Sequence, residues 1–278
     1  MNRASFYVID AFTGELGGRT LRGNPAAVVL LDEFWTNSQM LERANEFNLS
    51  ETAFVVHRGG TNFDLRWFTP SVEVALCGHA TLAAARALQD AGGICTGESI
   101  SFSTKSGSLT AKVEAERIEL NFPVQSFEEL EMPDGVAEAF GWDKSQQDFR
   151  TLYPCFWAGE DWLVCVKQEE LEKARPNFKV LADVEARGVV LTSPREGEGS
   201  KIDFYSRFFG PRVGIDEDPV TGSAHTSLAP FWASRLGKKK LRAVQLSERG
   251  GLLEVELGGA RVAIAGKTMI RAQGHLRD

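Results

Sequence analysis

Two short stretches of this sequence, Arg66-Trp67-Phe68-Thr69-Pro70 and Arg207-Phe208-Phe209-Gly210-Pro211, have the same pattern and decide the predicted fold. A glycine follows each stretch, Gly78 or Gly222, and begins a predicted helix that is rich in small residues. The second copy has three extra residues in the intervening loop. Because a strand, a proline-containing loop, a glycine and an enclosed helix recur in one order, we predict an internal repeat of one β-rich module.

The elements predicted around these stretches are mostly strands, which indicates the α+β class. In the first half we predict strands over 6–12, 26–31, 52–57, 63–68, 109–113 and 117–122, and a helix over 36–47 with Thr36 or Asn37 as its cap. In the second half we predict strands over 151–157, 162–166, 188–192 and 202–209, a helix over 222–236, and three final strands.

Each copy is expected to form a barrel-like, mostly antiparallel sheet around its own central helix. The polar stretch from Pro123 to Pro133 is the predicted boundary between these pseudo-symmetric modules. It separates an N-terminal module, 1–122, from a C-terminal module, 123–278, whose last strand is a candidate to return to the first module.

The composition limits the classes of partner. The chain has 278 residues, 43% of them apolar, and a net charge of −7, which argues against nucleic acid. Its one dense basic run, 238–240, follows a predicted helix end and fits a solvated terminus. The longest apolar run, 26–31, is too short to span a membrane, and the N-terminus lacks a signal-peptide pattern. We therefore expect a cytoplasmic protein with no nucleic-acid or membrane partner.

Motifs for metals and nucleotides are missing from the sequence. The four cysteines are widely spread and have no zinc-type spacing, and no glycine-rich phosphate loop joins a strand to a helix. Three acids precede Gly222, but they lack the regular spacing of a calcium loop. We expect no cofactor and no metal.

The starts of the two helices are the first candidate sites. Backbone N–H groups at Gly78 and Gly222 can bind a carboxylate or a developing oxyanion, although both glycines could serve only tight turns. His79 can exchange a hydrogen bond with a substrate as a neutral imidazole, or it can be a capping or core residue. Cys77 can be a thiolate of lowered pKa, or a small buried residue.

Further candidates flank the same two helices. Asp218, Thr221 and Ser223 place a carboxylate and two hydroxyls before the second helix, although Asp218 could simply cap that helix. Glu51 lies among apolar neighbours that would raise its pKa into the range of a general acid/base, or it lies exposed on a turn. Asn24, before Pro25, offers a side-chain amide at a fixed bend.

Five motifs, taken in order, resemble the phenazine-biosynthesis PhzF family over nearly the whole chain. They are Gly23-Asn24-Pro25-Ala26-Ala27-Val28, Leu49-Ser50-Glu51-Thr52-Ala53-Phe54, Arg66-Trp67-Phe68-Thr69-Pro70, Cys77-Gly78-His79-Ala80 and Glu217-Asp218-Pro219-Val220-Thr221-Gly222-Ser223-Ala224. The resemblance implies the diaminopimelate epimerase-like fold, with two pseudo-symmetric modules and an active site in the cleft between them.

The resemblance also implies a cofactor-independent isomerase similar to trans-2,3-dihydro-3-hydroxyanthranilate isomerase. By motif, Glu51 is then the general acid/base, and His79, Asp218 and Ser223 bind the substrate and assist proton transfer. Gly78 and Gly222 supply amides for the carboxylate of a small anionic substrate. Homodimers are common in the family, so a homodimer is an expectation here.

Two alternatives remain open. Related racemases use two facing cysteines, each before the glycine of its helix; Cys77 has the first such place, but Thr221 has the second. An amino-acid racemase or epimerase using Cys77 is therefore the second hypothesis. A binding protein that keeps the fold without catalysis is the third, although Glu51 and His79 are both present.

Overall fold

The computed structural model describes residues 4–197 and 201–277, and the chain divides into two compact units. Unit 1 comprises residues 1–122 and 263–278, and unit 2 comprises residues 123–262. The chain is rich in strands with few helices, which confirms the predicted α+β class. Among the described residues, no helix has the length and apolar composition needed to cross a membrane.

Unit 1 is built on a closed ring of eight strands. In order of pairing they are β18 (Arg261–His275), β1 (Ser5–Leu16), β3 (Asn24–Leu31), β4 (Glu51–Gly59), β5 (Asn62–Phe68), β7 (Ser99–Thr104), β8 (Gly107–Val113) and β9 (Ile118–Pro123). Strand β9 pairs with β18 and closes the ring. The β3–β4 and β5–β7 pairs are parallel. Two short strands, β2 (Arg19–Leu21) and β6 (Glu73–Val74), pair with β1 and β5.

Helix α2 (Gly78–Asp90) is enclosed by this ring, as predicted. Ten of its 13 residues are buried, and it packs against β1, β3, β4 and β8. An eight-stranded ring has an interior only wide enough for side chains or one small ligand. A helix fits there because its residues are small, with Ala83, Ala84 and Ala85 fully buried. The other helix of unit 1, α1 (Asn37–Phe47), packs against β4 and β5 and has Thr36 as its predicted cap.

Unit 2 repeats the pairing order of unit 1. Its strands are β10 (Glu128–Glu129), β11 (Cys155–Ala158), β12 (Asp161–Cys165), β13 (Gly188–Pro194), β14 (Phe204–Gly210), β15 (Ile215–Asp218), β16 (Lys240–Gln245) and β17 (Gly251–Gly258). The β12–β13 and β14–β16 pairs are parallel, like β3–β4 and β5–β7. Helix α7 (His225–Leu236) connects β14 and β15 to β16, as α2 connects β5 and β6 to β7. This confirms the predicted repeat.

Short helices fill the remaining connections of unit 2. They are α3 (Asp134–Phe140), α4 (Phe149–Leu152), α5 (Gln168–Lys173), α6 (Phe178–Ala182) and a 3-10 turn (Pro211–Val213). The predicted strand over 151–157 is therefore wrong at its start. The amides of Thr151 and Leu152 bond to the carbonyl of Asp148 at 2.9 and 3.0 Å, which makes a helical turn there instead.

The predicted start of the second helix at Gly222 is also wrong. The amides of His225 and Thr226 bond to carbonyls three residues earlier, at 3.1 and 3.0 Å. Such bonds form a tighter turn than an α-helix. Residues 222–224 therefore form a turn, and α7 begins at His225.

The arginine of each repeated stretch anchors the loop that leads to its helix. Arg66 donates to both carboxylate oxygens of Glu73 at 2.8 and 2.7 Å. Arg207 donates to both oxygens of Glu217 at 2.7 and 2.9 Å. The glutamates lie seven and ten residues after their arginines, so the three extra loop residues fall inside the second pair. Two-point pairing of this kind fixes geometry as well as charge.

Removing the carboxylate of Glu217 should destabilise the protein, because the guanidinium of Arg207 is only 6% exposed. We expect Glu217→Gln to lower the free energy of unfolding by about 3 kcal/mol, the usual cost of leaving a buried charge unpaired. The matched control is Glu169→Gln, which breaks a pair with Lys173 whose side chains are 76% and 74% exposed. That change should leave the free energy of unfolding almost unchanged, because an exposed ion pair is screened by solvent. Urea denaturation measures both, and equal losses would contradict the structural role of this pair.

Candidate active site

Five of the predicted site residues meet at the N-terminus of α2. Glu51 begins β4 and Asn24 begins β3, and the parallel register of these strands brings both to one end of the ring. Cys77 precedes the first residue of α2, Gly78, and His79 follows it. All five are buried except Glu51, whose side chain is 13% exposed. The alternative of an exposed Glu51 on a turn is therefore excluded by its burial.

His79 contacts the other side chains of this cluster with both ring nitrogens. Its Nε2 lies 3.2 Å from Oε2 of Glu51, although the ring N–H is not aligned with the carboxylate. Its Nδ1 lies 3.4 Å from Nδ2 of Asn24 and 3.5 Å from Sγ of Cys77. An amide nitrogen and a thiol can each donate to an unprotonated Nδ1. The proton of the neutral ring is thereby placed on Nε2, toward Glu51.

The charge state of His79 follows from its burial. Burial lowers the pKa of His79 to about 3, so the imidazole is neutral at neutral pH. The N-terminus of α2 also disfavours a cation, because the helix dipole is positive there. A neutral His79 can therefore donate from Nε2 without adding a positive charge to the cluster.

Glu51, Cys77 and His79 also offer ligand atoms within 4.8 Å of one another. Carboxylate, thiolate and imidazole together form a donor set that suits zinc. The amides and dipole at the start of α2 favour an anion over a cation at this point, however. The amides at the start of α2, taken by themselves, are thus suited to a carboxylate ligand.

The other four predicted residues lie in unit 2, on the segment between β15 and α7. Asp218 is the last residue of β15, and its Oδ2 accepts a hydrogen bond from the hydroxyl of Thr221. Gln245, at the end of β16, is fully buried and holds this segment. Its Oε1 accepts from the amide of Thr221 at 2.9 Å, and its Nε2 donates to the carbonyl of Asp218 at 2.8 Å. Gly222 and Ser223 follow in the turn before α7.

Ser223 is held by an ion pair that the sequence analysis missed. Arg187 donates from Nη1 to Oγ of Ser223 at 2.8 Å and from Nε to Oδ1 of Asp161 at 2.9 Å, and its Nη2 also pairs with Asp161. Burial raises the pKa of the Asp161 carboxyl, and the guanidinium beside it opposes that shift. Arginine can only donate, so Ser223 must accept from it. The hydroxyl proton of Ser223 is then available to a ligand.

The register of the repeat shows where the two units differ. Phe68 pairs with Thr52 on β4, and its counterpart Phe209 pairs with Val189 on β13. The position that corresponds to Glu51 is therefore Gly188. A Cβ at Gly188 would lie 2.4 Å from the ring of Phe208 and 2.8 Å from the carbonyl of Phe209, so no side chain fits there. Of the two units, only unit 1 therefore has a carboxylate at this position.

Sequence reasoning therefore missed Arg187, Asp161 and Gln245. Arg187 could have been found by aligning the two repeats. The alignment pairs Arg187 with Ser50, because Arg187 immediately precedes β13 and Ser50 immediately precedes the corresponding strand, β4. Gln245 gave a weaker signal, as an amide at the end of a strand where the two preceding residues, Ala243 and Val244, are apolar. For Asp161, which begins a strand after a turn, no sequence signal separates a buried ion pair from an ordinary turn residue.

Known proteins of one family resemble this chain over nearly its whole length. The profile of the phenazine biosynthesis-like protein family, PhzC-PhzF, matches residues 9–274. The chain belongs to the PhzF family. It is 46% identical over 275 residues to an uncharacterised isomerase of Pseudomonas aeruginosa, with 98% of each chain covered. A PhzF family protein of Enterococcus faecalis, known from its crystal structure, is 36% identical and matches with a TM-score of 0.87, over 99% of this chain and 100% of that one.

More distant structures extend the likeness of fold. A probable proline racemase of Agrobacterium radiobacter matches with a TM-score of 0.61 at 11% identity, over 99% of this PhzF family chain and 93% of that chain. At that identity only the fold is shared. The resemblance and the epimerase-like fold expected from the motifs are confirmed, and the expected enzyme class, an isomerase, agrees with the name of the Pseudomonas relative.

The buried histidines make the stability of this PhzF family protein depend on pH. Burial lowers the pKa of His225, as of His79, and brings it to about 4, whereas an unfolded histidine titrates near 6.5. The unfolded chain thus binds more protons below that pH. The stabilisation is complete above about pH 6.5 and is lost as the pH falls toward 4.

Replacing His225 should therefore flatten this dependence. We expect His225→Gln to reduce the slope of unfolding free energy against pH, between about pH 6 and 4.5, by about 1.4 kcal/mol per pH unit. The control is the unsubstituted protein, whose slope over the same pH range is the reference. Urea denaturation at several pH values measures both slopes. An unchanged slope in His225→Gln would contradict a neutral, buried His225.

Proposed function

We propose that this PhzF family protein is a cofactor-independent isomerase that moves a proton on a small carboxylate-bearing substrate, with Glu51 as its general acid/base. The observation that carries this proposal is the contact of Glu51 with a neutral His79 at the N-terminus of α2. The carboxylate can remove a proton from one carbon and return it to another. His79 can hold Glu51 in place or donate to an oxygen of the substrate.

The start of α2 supports an anionic substrate. The first amides of a helix have no acceptor within that helix, and they attract a carboxylate or a developing oxyanion. Gly78 allows such a group to approach the backbone closely, since it has no side chain. Negative charge that develops on the substrate as Glu51 takes its proton would be stabilised by these amides.

The residues of unit 2 support a binding role for Ser223 and Asp218, as the resemblance implies. Arg187 donates a hydrogen bond to the hydroxyl oxygen of Ser223, so the O–H of this serine can donate to a substrate oxygen. Thr221 and Gln245 hold Asp218 and the turn that contains Gly222. These contacts fix the hydrogen-bonding roles of the segment before a ligand arrives, so little ordering is needed on binding.

The two positions of unit 2 that correspond to Glu51 and Cys77 hold no acid/base, which favours isomerisation over racemisation. A two-base racemase needs an acid/base on each side of one carbon, whereas a proton shift needs one group that acts twice. Gly188 takes the place of Glu51 in unit 2, and Thr221 takes the place of Cys77. Neither residue titrates. As the resemblance to the PhzF family implies, the substrate we propose is similar to trans-2,3-dihydro-3-hydroxyanthranilate, in which a proton moves between ring carbons.

Replacing Glu51 tests the proposal directly. We expect Glu51→Gln to lower solvent deuterium uptake into the substrate by at least about 100-fold, because an amide cannot take a proton from carbon. The substrates are trans-2,3-dihydro-3-hydroxyanthranilate and a panel of carboxylates that includes both enantiomers of common amino acids. Mass spectrometry and NMR report how much deuterium enters and at which carbon.

The control variant is Glu42→Gln, an exposed glutamate on α1, which should retain full uptake. Uptake that survives in Glu51→Gln would rule out Glu51 as the acid/base. Uptake at an amino-acid α-carbon that depends on Cys77 would favour the racemase instead. An absence of uptake from every compound, with binding of one of them, would favour the non-catalytic binding protein.

A further inference from the structure

The cluster at the start of α2 contains a thiol that the proposed isomerisation does not use. Cys77 is 7% exposed, and its Sγ lies 3.5 Å from Nδ1 of His79. The other ring nitrogen, Nε2, lies 3.2 Å from Oε2 of Glu51. One imidazole therefore lies between the thiol and the carboxylate, in the order of a nucleophile, a base that passes on the proton and a final proton acceptor.

We propose that Cys77, His79 and Glu51 form a triad in which Cys77 is a reactive nucleophile toward soft electrophiles. This activity goes beyond the proposed isomerisation and does not depend on it. In the resting form Cys77 is a thiol, His79 carries its proton on Nε2, and Glu51 is a carboxylate. The donors around Nδ1 favour this arrangement, because Asn24 Nδ2 also points to that nitrogen at 3.4 Å.

Formation of the thiolate moves one proton at each end of the ring. The Sγ–H bond of Cys77 breaks as an N–H bond forms at Nδ1 of His79, and the bonding pair stays on sulfur. The Nε2–H bond breaks as an O–H bond forms on Oε2 of Glu51. His79 ends neutral, as it began, so the total charge of the three groups is unchanged. A small rotation of the ring aligns Nε2–H with the carboxylate for this transfer.

The start of α2 is the feature near Cys77 that favours a thiolate. The residue stands immediately before α2, a helix of 13 residues, where the positive end of the dipole stabilises an anion. The low pKa of His79, about 3, means that an imidazolium is unfavourable at this buried position. Glu51 is consequently needed as the final acceptor of the proton. Unit 2 has Thr221 at the corresponding place, so it cannot form a second such thiolate.

Alkylation by iodoacetamide tests this triad without any substrate. The thiolate attacks the methylene carbon, an S–C bond forms, the C–I bond breaks and iodide leaves. The experiment uses the full chain with Cys95→Ser, because Cys95 is an exposed thiol. Peptide mass spectrometry follows Cys77 together with Cys155 and Cys165, whose pKa values burial raises to about 12. These two thiols report any unfolding in the same sample.

We expect Cys77 to react faster than Cys155 and Cys165. Glu51→Gln and His79→Gln should each slow its alkylation by at least about tenfold, because neither amide completes the proton transfer. Glu51→Asp, which keeps a carboxylate, should restore part of the rate, and Glu42→Gln should leave it unchanged. If Glu51 had only a structural role, Glu51→Gln should change the alkylation rate in the opposite direction. The loosened cluster would expose Cys77 and accelerate its alkylation.

Three results would overturn the triad. They are an unreactive Cys77 in the otherwise natural chain, an unchanged rate in Glu51→Gln, and a faster rate in either amide variant. This outcome is independent of the deuterium experiment. Loss of deuterium uptake with an unchanged alkylation rate would support Glu51 as the acid/base and refute the triad. The reverse pair of results would refute the isomerase and support the triad.

Discussion

The narrow interior of the eight-stranded ring is the constraint on which unit 1 depends. A helix can occupy it only if its side chains are small, and α2 meets this condition with a run of fully buried alanines. Once enclosed, the helix cannot slide without leaving voids, which are costly in a close-packed core. Its N-terminus is thus fixed at one end of the ring, where the starts of β3 and β4 deliver Asn24 and Glu51. The position of the candidate site is a consequence of packing.

The repeat shows which features serve the fold and which serve the chemistry. Both copies have the arginine–glutamate pair, the parallel strand pairs and the helix that follows them. They differ where ligands would bind. Glu51 corresponds to Gly188, and Cys77 corresponds to Thr221, so these two titratable groups belong to unit 1 alone, while unit 2 supplies the Asp218 carboxylate, hydroxyls and a fixed guanidinium. One architecture thereby carries an acid/base cluster in one copy and a hydrogen-bonding cluster in the other.

Much of the fold could be predicted from the sequence because it depends on local patterns of residues. Alternating strands, the Thr36 cap and the alanine-rich helix after Gly78 follow from side-chain periodicity and backbone propensity. The tight turn at 222–224 was missed because its hydrogen bonds reach back three residues, a choice that tertiary contacts decide. Asp161 and Gln245 were missed for a similar reason. Their partners are 26 and 27 residues away along the chain, and no local pattern marks such pairs.

The path of the last strand determines when unit 1 can be completed. Strand β18 pairs Ser5 with His275, so the ring joins a segment that precedes unit 2 to one that follows it. Unit 2, at residues 123–262, is continuous in sequence and leaves the ribosome before that partner strand exists. Until β18 has been synthesised, β1 and β9 each have an unpaired edge, and the ring around helix α2 is open. During synthesis, therefore, the ring around the cluster that holds Glu51 closes only after unit 2 has been translated.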